Sequence, residues 1–225
     1  MISDDATHIK KIIFSPRLLA KAVFADPELT LDLPASITAA TGMDALTHNV
    51  ESYLSPAYHP LCDGIALEGA RLAARSLRTA VREPHNIDAR SDMMMSSMMG
   101  AIAFQKDLGA VHSCAHALST VADLHHGLAN GIMIDHVMRF NADAAGGKLS
   151  ELARVCTSST GSAAFIEWLA ALKSRIGIPA KLGARGVTSS HIPRLVEIAV
   201  NDTCHQTNPK PVSAADFERI FAQAL

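Results

Sequence analysis

The 225-residue chain sets 20 Lys and Arg against 22 Asp and Glu, and neither sign gathers into a long block, so no nucleic-acid or anionic-membrane footprint is present. Hydrophobic residues make up 48% but aromatics only 4%, so the core must be built mostly from Ala, Leu, Ile, Val and Met, which suits a mainly α protein of one domain or of one large domain with a small appendage. The four cysteines, Cys62, Cys114, Cys156 and Cys204, lack CxxC spacing, and MISDDATHIKK has no apolar leader, so the chain reads as cytoplasmic, with reduced thiols and no membrane span.

In chain order, IKKIIF (9–14) and KAVFA (21–25) read as short strands or extended segments. LTLDLP leads in extended form to Pro34, and a helix is expected from Ala35 or Ser36, with Ser36 as its N-cap. Within that helix Asp44 and His48 lie four apart and share a face. They could be a weak surface pair. Their neighbours are small and apolar, however, which places them in the interior or at a cleft, where a metal ion would relieve the cost of a buried carboxylate.

Residues 59–84 predict a long amphipathic helix with Leu61, Ile65, Leu72 and Leu77 in the core. Another runs from Asn86 to Phe104, and its methionines Met93, Met94, Met95, Met98 and Met99 are expected to fill a helix interface rather than bind metal. The polar FQKDLG then leads into VHSCAHALSTVADLHHGLANGIMIDHVMRF. His112 and His116 share one helical face, Cys114 between them points elsewhere, and His126 follows at a break marked by Gly127. Two imidazoles on one helix and a third at the mouth of the next can converge on a divalent transition metal. His136 and His191 read as ordinary core or boundary residues, and Trp168 as core. Further helices are expected at 147–156, 162–177 (ended by Gly177 and Pro179), 191–202 and 213–225, with TNPKPVS as a rigid loop before the last.

The stretches TAATGMDALTHNVESYLSP, VHSCAHALSTVADLHHG, GLAN, RFN and TNPKP together resemble the iron-containing alcohol dehydrogenase family, within the dehydroquinate synthase-like superfamily. The resemblance spans ADPELTLDLP onward. It implies the all-helical C-terminal domain of that fold, with short extended strands at the N-terminus. It assigns Asp44, His48, His112 and His126 as ligands of one divalent metal, Fe(II) or Zn(II). It further implies reversible NAD- or NADP-linked oxidation of an alcohol to an aldehyde or ketone, the metal making the alkoxide available at neutral pH. His116, on the face of His112 but not among the ligands, is the expected proton relay or nicotinamide-positioning residue. Phe104 and Lys106 fall where the family has substrate-pocket residues, and Lys106 could pair with the carboxylate of an ω-hydroxy acid. Ser119 and His125 stand where many relatives have glycine and proline, which touches pocket shape rather than the metal set.

The family's glycine-rich phosphate loop has no counterpart before Gly42. Residues 1–33 are therefore expected to be the remnant of an α/β nucleotide-binding domain, and 34–225 the helical metal-binding domain. On that expectation the chain is a fragment, a truncated gene product or half of a split enzyme, acting as a homo-oligomer or with a partner that supplies the nucleotide-binding domain. The competing expectation is a non-catalytic metal-binding helical domain or docking partner. The aspartate-plus-three-histidine set argues against a dehydroquinate synthase-like reaction.

Overall fold

The computed structural model describes residues 15–225 together with 2–3, 10–11 and 13. Helices dominate: α1 (Ala35–Leu54), α2 (Pro60–Arg82), α3 (Ile87–Ala103), α4 (Ala110–Ala122), α5 (His126–Asn141), α6 (Gly146–Cys156), α7 (Ser162–Ile176), α8 (Ile192–Asn201) and α9 (Ala214–Ala224). The mainly α architecture expected from the composition is the one observed. A minimal antiparallel pair, β1 (Ile2–Ser3) with β2 (Lys10–Lys11), precedes them, with Ile2 opposite Lys11. The rest of the 9–14 run lies outside the described residues, except Ile13, which is exposed.

α1 is the central helix. It packs on α2, α3 and α5 at once, so residues from Thr38 to Leu54 are buried on nearly every face, and only a helix built of small and apolar side chains can be surrounded in this way. α4 lies on α5 and α8, α6 on α2 and α7, and α9 closes on α5 and α8. Phe165, Leu169, Leu195, Phe217 and Phe221 join the core of α1, α4 and α5 to this outer layer. Among the described residues no helix is long and apolar enough to cross a membrane.

Several local expectations are corrected. KAVFA is not a strand: it is exposed coil between short 3-10 turns at Pro16–Leu18 and Pro27–Thr30, which Ser15 and Asp26 cap. Ser36 is not an N-cap, because the helix already starts at Ala35, directly after the extended Pro34. On α2, Leu72 and Leu77 are buried as expected and Ile65 partly so, but Leu61 is exposed. The face turned to α1 is instead Cys62, Ala66, Gly69, Ala70 and Ala73, small residues that let two backbones come close. The methionines of α3 fill the core only at Met93, which packs against it: Met95 and Met98 are exposed, and Met94 and Met99 are half-buried.

Gly127 is not the break between α4 and α5. Asp123, in left-handed conformation (φ 49°, ψ 34°), ends α4, and His125 caps α5 by accepting from the Leu128 N–H. Gly127 lies inside α5, where a Cβ would stand 2.4 Å from the Ala40 carbonyl oxygen and 3.3 Å from Asp44 Cβ. Its lack of a side chain is what seats the start of α5 on α1. Gly127→Ala should therefore cost about 1–3 kcal/mol through overpacking, read as a fall of several degrees in Tm by calorimetry. An unchanged Tm would show that the α1–α5 contact has slack.

Candidate functional site

Three helices deliver the polar residues. α1 presents Asp44, His48 and Glu51 at i, i+4 and i+7; the first turns of α4 present His112 and His116; the first turns of α5 present His126 and Asn130. Donor atoms of Asp44, His48 and His112 all lie within 4.8 Å of one another. Asp44 Oδ1 stands 3.6 Å from His112 Nε2 and 3.4 Å from His126 Nε2, and the His48 and His112 rings are 4.6 Å apart. The helices thus bring Asp44, His48 and His112 to one point, with His126 beside Asp44.

The electrostatics of that point favour a cation. Burial raises the Asp44 carboxyl, but a hydrogen bond from His112 and the charges of the imidazoles around it outweigh burial and hold it well below the usual carboxylate range. Burial and the neighbouring His112 push His48 down to about 4. His112, although burial alone would lower it, is raised to about 9 by hydrogen bonds and charges from Asp44 and Glu51. Without metal at neutral pH, the cluster therefore carries a proton on His112 between two carboxylates. The Asn130 amide nitrogen also stands inside the set, donating to Asp44 Oδ1 at 2.6 Å and lying 3.1 Å from His126 Nε2, while Asn130 Oδ1 is buried with no hydrogen-bond partner. A donor set of one carboxylate and three imidazoles, crowded by N–H groups in place of a cation, fits a divalent transition metal.

Two carboxylates that sequence reading missed orient the imidazoles. Glu51, 3% exposed, accepts from the Val111 and His112 backbone N–H groups at 2.7 and 3.2 Å, so it caps α4, and accepts from His112 Nδ1 at 2.6 Å. That bond fixes the proton on Nδ1 and leaves Nε2 for the metal point. Glu51 could have been found, since it is seven residues from Asp44 and on the same face. Asp202, just beyond α8, plays the same part for His116: its Oδ2 lies 2.8 Å from His116 Nδ1, while Oδ1 accepts from Ser113 Oγ and the Cys204 N–H. Those bonds hold the Asp202 carboxyl, which burial alone would raise, well below the usual carboxylate range. No local spacing signals Asp202. His116, Asp202 and Cys204 form a second close trio, yet burial and Asp202 push the Cys204 thiol far up, so it stays neutral.

A cavity of about 460 Å³ opens on this cluster, lined by His48, His112, His116 and His126, with Phe104, Leu108 and Thr207 among its other walls. Phe104 stacks on His48 at 5.8 Å. Lys106 does not reach the cavity. It is 1% exposed, and its ammonium is bound to the Asp63 carboxylate and the Tyr53 carbonyl. Cys114 is buried and does not line the cavity.

A model of the Fe-containing alcohol dehydrogenase family, C-terminal, matches residues 38–225. The chain belongs to this family. It is 42% identical to a 4-hydroxybutyrate dehydrogenase of Cupriavidus necator, over 92% of this chain and 56% of that protein. With a 1,3-propanediol dehydrogenase of Citrobacter freundii it shares 37% identity, over 100% of this chain and 60% of that protein. Among solved structures, a 1,3-propanediol oxidoreductase superposes with a TM-score of 0.85 at 38% identity, over 89% of this chain and 55% of that one. Sulfoacetaldehyde reductase from Bifidobacterium kashiwanohense, solved in complex with NAD+, gives 0.81 at 32% identity, over 88% and 53%. The chain spans little more than half the length of the family members it matches.

Two outcomes follow from the cluster's geometry. Glu51→Gln should weaken Zn(II) or Co(II) binding by about 10–100-fold in competition with a chromophoric chelator; unchanged affinity would remove Glu51 from the site. Metal must also displace the His112 proton, so apparent affinity should rise about tenfold per pH unit below about 9 and level off above it. A flat profile between about pH 6 and 9 would show that no ligand proton is displaced.

Proposed function

We propose that this chain is the metal-binding, catalytic helical part of an NAD(P)-dependent alcohol dehydrogenase acting reversibly on small alcohols and their aldehydes or ketones. The observation that carries the reading is that His48, His112 and His126, which line a cavity of small-substrate size, gather around the Asp44 carboxylate. Asp44, His48, His112 and His126 would hold the ion. Fe(II) or Zn(II) bound there supplies Lewis acidity toward an alcohol oxygen, and the nicotinamide coenzyme supplies the hydride acceptor.

The remaining work falls to the chain's own groups. Glu51 keeps His112 in the tautomer that offers Nε2. Asp202 occupies His116 Nδ1, so Nε2 is the nitrogen that can take or give a proton at the cavity. Phe104 and Leu108 provide apolar wall that excludes water from the reacting carbon. In this reading helices α1 to α9 are the metal domain, and the coenzyme is held against it by an α/β unit of the kind that the family resemblance implies.

Elemental analysis of chain purified without chelator, with an NAD(P)-linked assay on an alcohol panel, tests this. Near-stoichiometric Fe or Zn in the wild type, lost in His126→Ala with the helical circular dichroism signal unchanged, is the expected result, and turnover on addition of a nucleotide-binding unit would complete it. No metal after anaerobic, reducing preparation would overturn the catalytic reading.

A further inference from the structure

Asp107 holds a backbone conformation, φ 63° and ψ −174°, that is essentially reserved for glycine. The turn does not need its side chain. The Asp107 N–H donates to the Phe104 carbonyl at 2.8 Å, and the carbonyls of Lys106, Asp107 and Leu108 accept in turn from the hydroxyls of Ser55, Ser52 and Thr207, at 2.6, 3.3 and 2.9 Å. The carboxylate takes no part in this network and makes no hydrogen bond or ion pair among the described residues. It lies exposed on the wall of the cavity that holds the imidazoles. A glycine would serve the turn with less strain, so the charge is kept at a cost in stability, which points to a use.

Its surroundings indicate what use. Among the described residues no Lys or Arg lines the cavity, and the neighbouring Lys106 is buried against Asp63. Apart from the imidazoles of the metal cluster and the Cys204 thiol, the other polar lining comes from Thr203, Gln206 and Thr207, which are neutral. We propose that Asp107 is a specificity-determining residue that selects the far end of the substrate, favouring alcohols that end in an ammonium or a second hydroxyl group over those that end in a carboxylate. This rests on reading the cavity as the alcohol site. It reverses the sequence-based expectation for Lys106, and it separates this chain from the relative named for 4-hydroxybutyrate. The expected discrimination is about tenfold, the scale that partly screened charges a few ångströms apart can supply.

The test measures dissociation constants by ligand-observed NMR on the purified full chain for 3-amino-1-propanol, 1,3-propanediol and 4-hydroxybutyrate. The wild type should bind the amino alcohol most tightly, and the hydroxy acid about tenfold more weakly. Asp107→Asn, which keeps the strain and removes the charge, should collapse the order. Asp107→Gly should collapse it too and raise Tm by a few degrees. Wild-type order retained in Asp107→Asn, no rise in Tm for Asp107→Gly, or a wild type that binds no amino alcohol overturns the proposal. An order that depends on Asp107 in a chain that takes up no Fe or Zn after anaerobic, reducing preparation supports the proposal while sinking the dehydrogenase reading; near-stoichiometric metal with an order indifferent to Asp107 does the reverse.

Discussion

The buried Glu51 carboxylate is the interaction on which the site depends. It meets the free amides at the start of α4 and the Nδ1 of His112 at once, so a single charge ends a helix, sets a tautomer and joins α4 to α1. Taking a carboxylate out of water costs several kcal/mol unless its lone pairs are filled. Here three donors fill them, one of them a charged imidazole. Because Glu51, His48 and Asp44 are successive turns of the same helix, the bond that docks α4 also fixes how far His112 lies from Asp44. The central helix is for this reason both the core of the fold and the frame of the chemistry.

Opposed titration shifts within this frame follow from the crowding. His112, raised to about 9, stabilises the metal-free fold fully below its unfolded value and loses that contribution as pH rises toward 9. His48, lowered to about 4, acts the other way: the unfolded chain takes up its proton below the ordinary histidine range while the folded chain refuses it, so stability falls as pH drops toward 4. The depressed Asp44 carboxyl loses its contribution at still lower pH. Metal-free chain is thus held between two failing edges, acid from His48 and Asp44 and alkaline from His112. A cation in place of the His112 proton removes the alkaline edge, which couples metal loading to stability without any change of fold.

How much of this was legible in the sequence depended on whether the information was local. Asp44 with His48, and His112 with His116, follow from helical spacing, and the helices that carry them lie where periodicity placed them. Glu51 was equally local but passed over, because a carboxylate in an apolar helix draws attention only beside a histidine in sequence. Asp202 lies 86 residues from its imidazole, and only the docking of α8 on α4 brings them together. Gly127 was read as a helix breaker, its commonest use, when its use here is close approach to Ala40. Lys106 was misplaced because its partner is not local: Asp63, which holds its ammonium, lies 43 residues away, and nothing at Asp107, a non-glycine residue, warns of its positive φ.

His112 and His116 show how similar surroundings produce different chemistry. Both sit on one face of α4 and both give Nδ1 to a carboxylate, so each keeps Nε2 for use. What separates them is the next charge. His112 Nε2 lies 3.6 Å from Asp44 and is enclosed, with His112 itself 1% exposed, so the useful partner for that nitrogen is a cation shared with the carboxylate. His116 is among the residues that line the cavity, stacked at 5.2 Å on His126, with no second carboxylate bound to it. Its Nε2 is left to exchange a proton with whatever enters. In the proposed reading, one turn of helix, with a carboxylate behind each ring but only one in front, divides metal binding from proton handling.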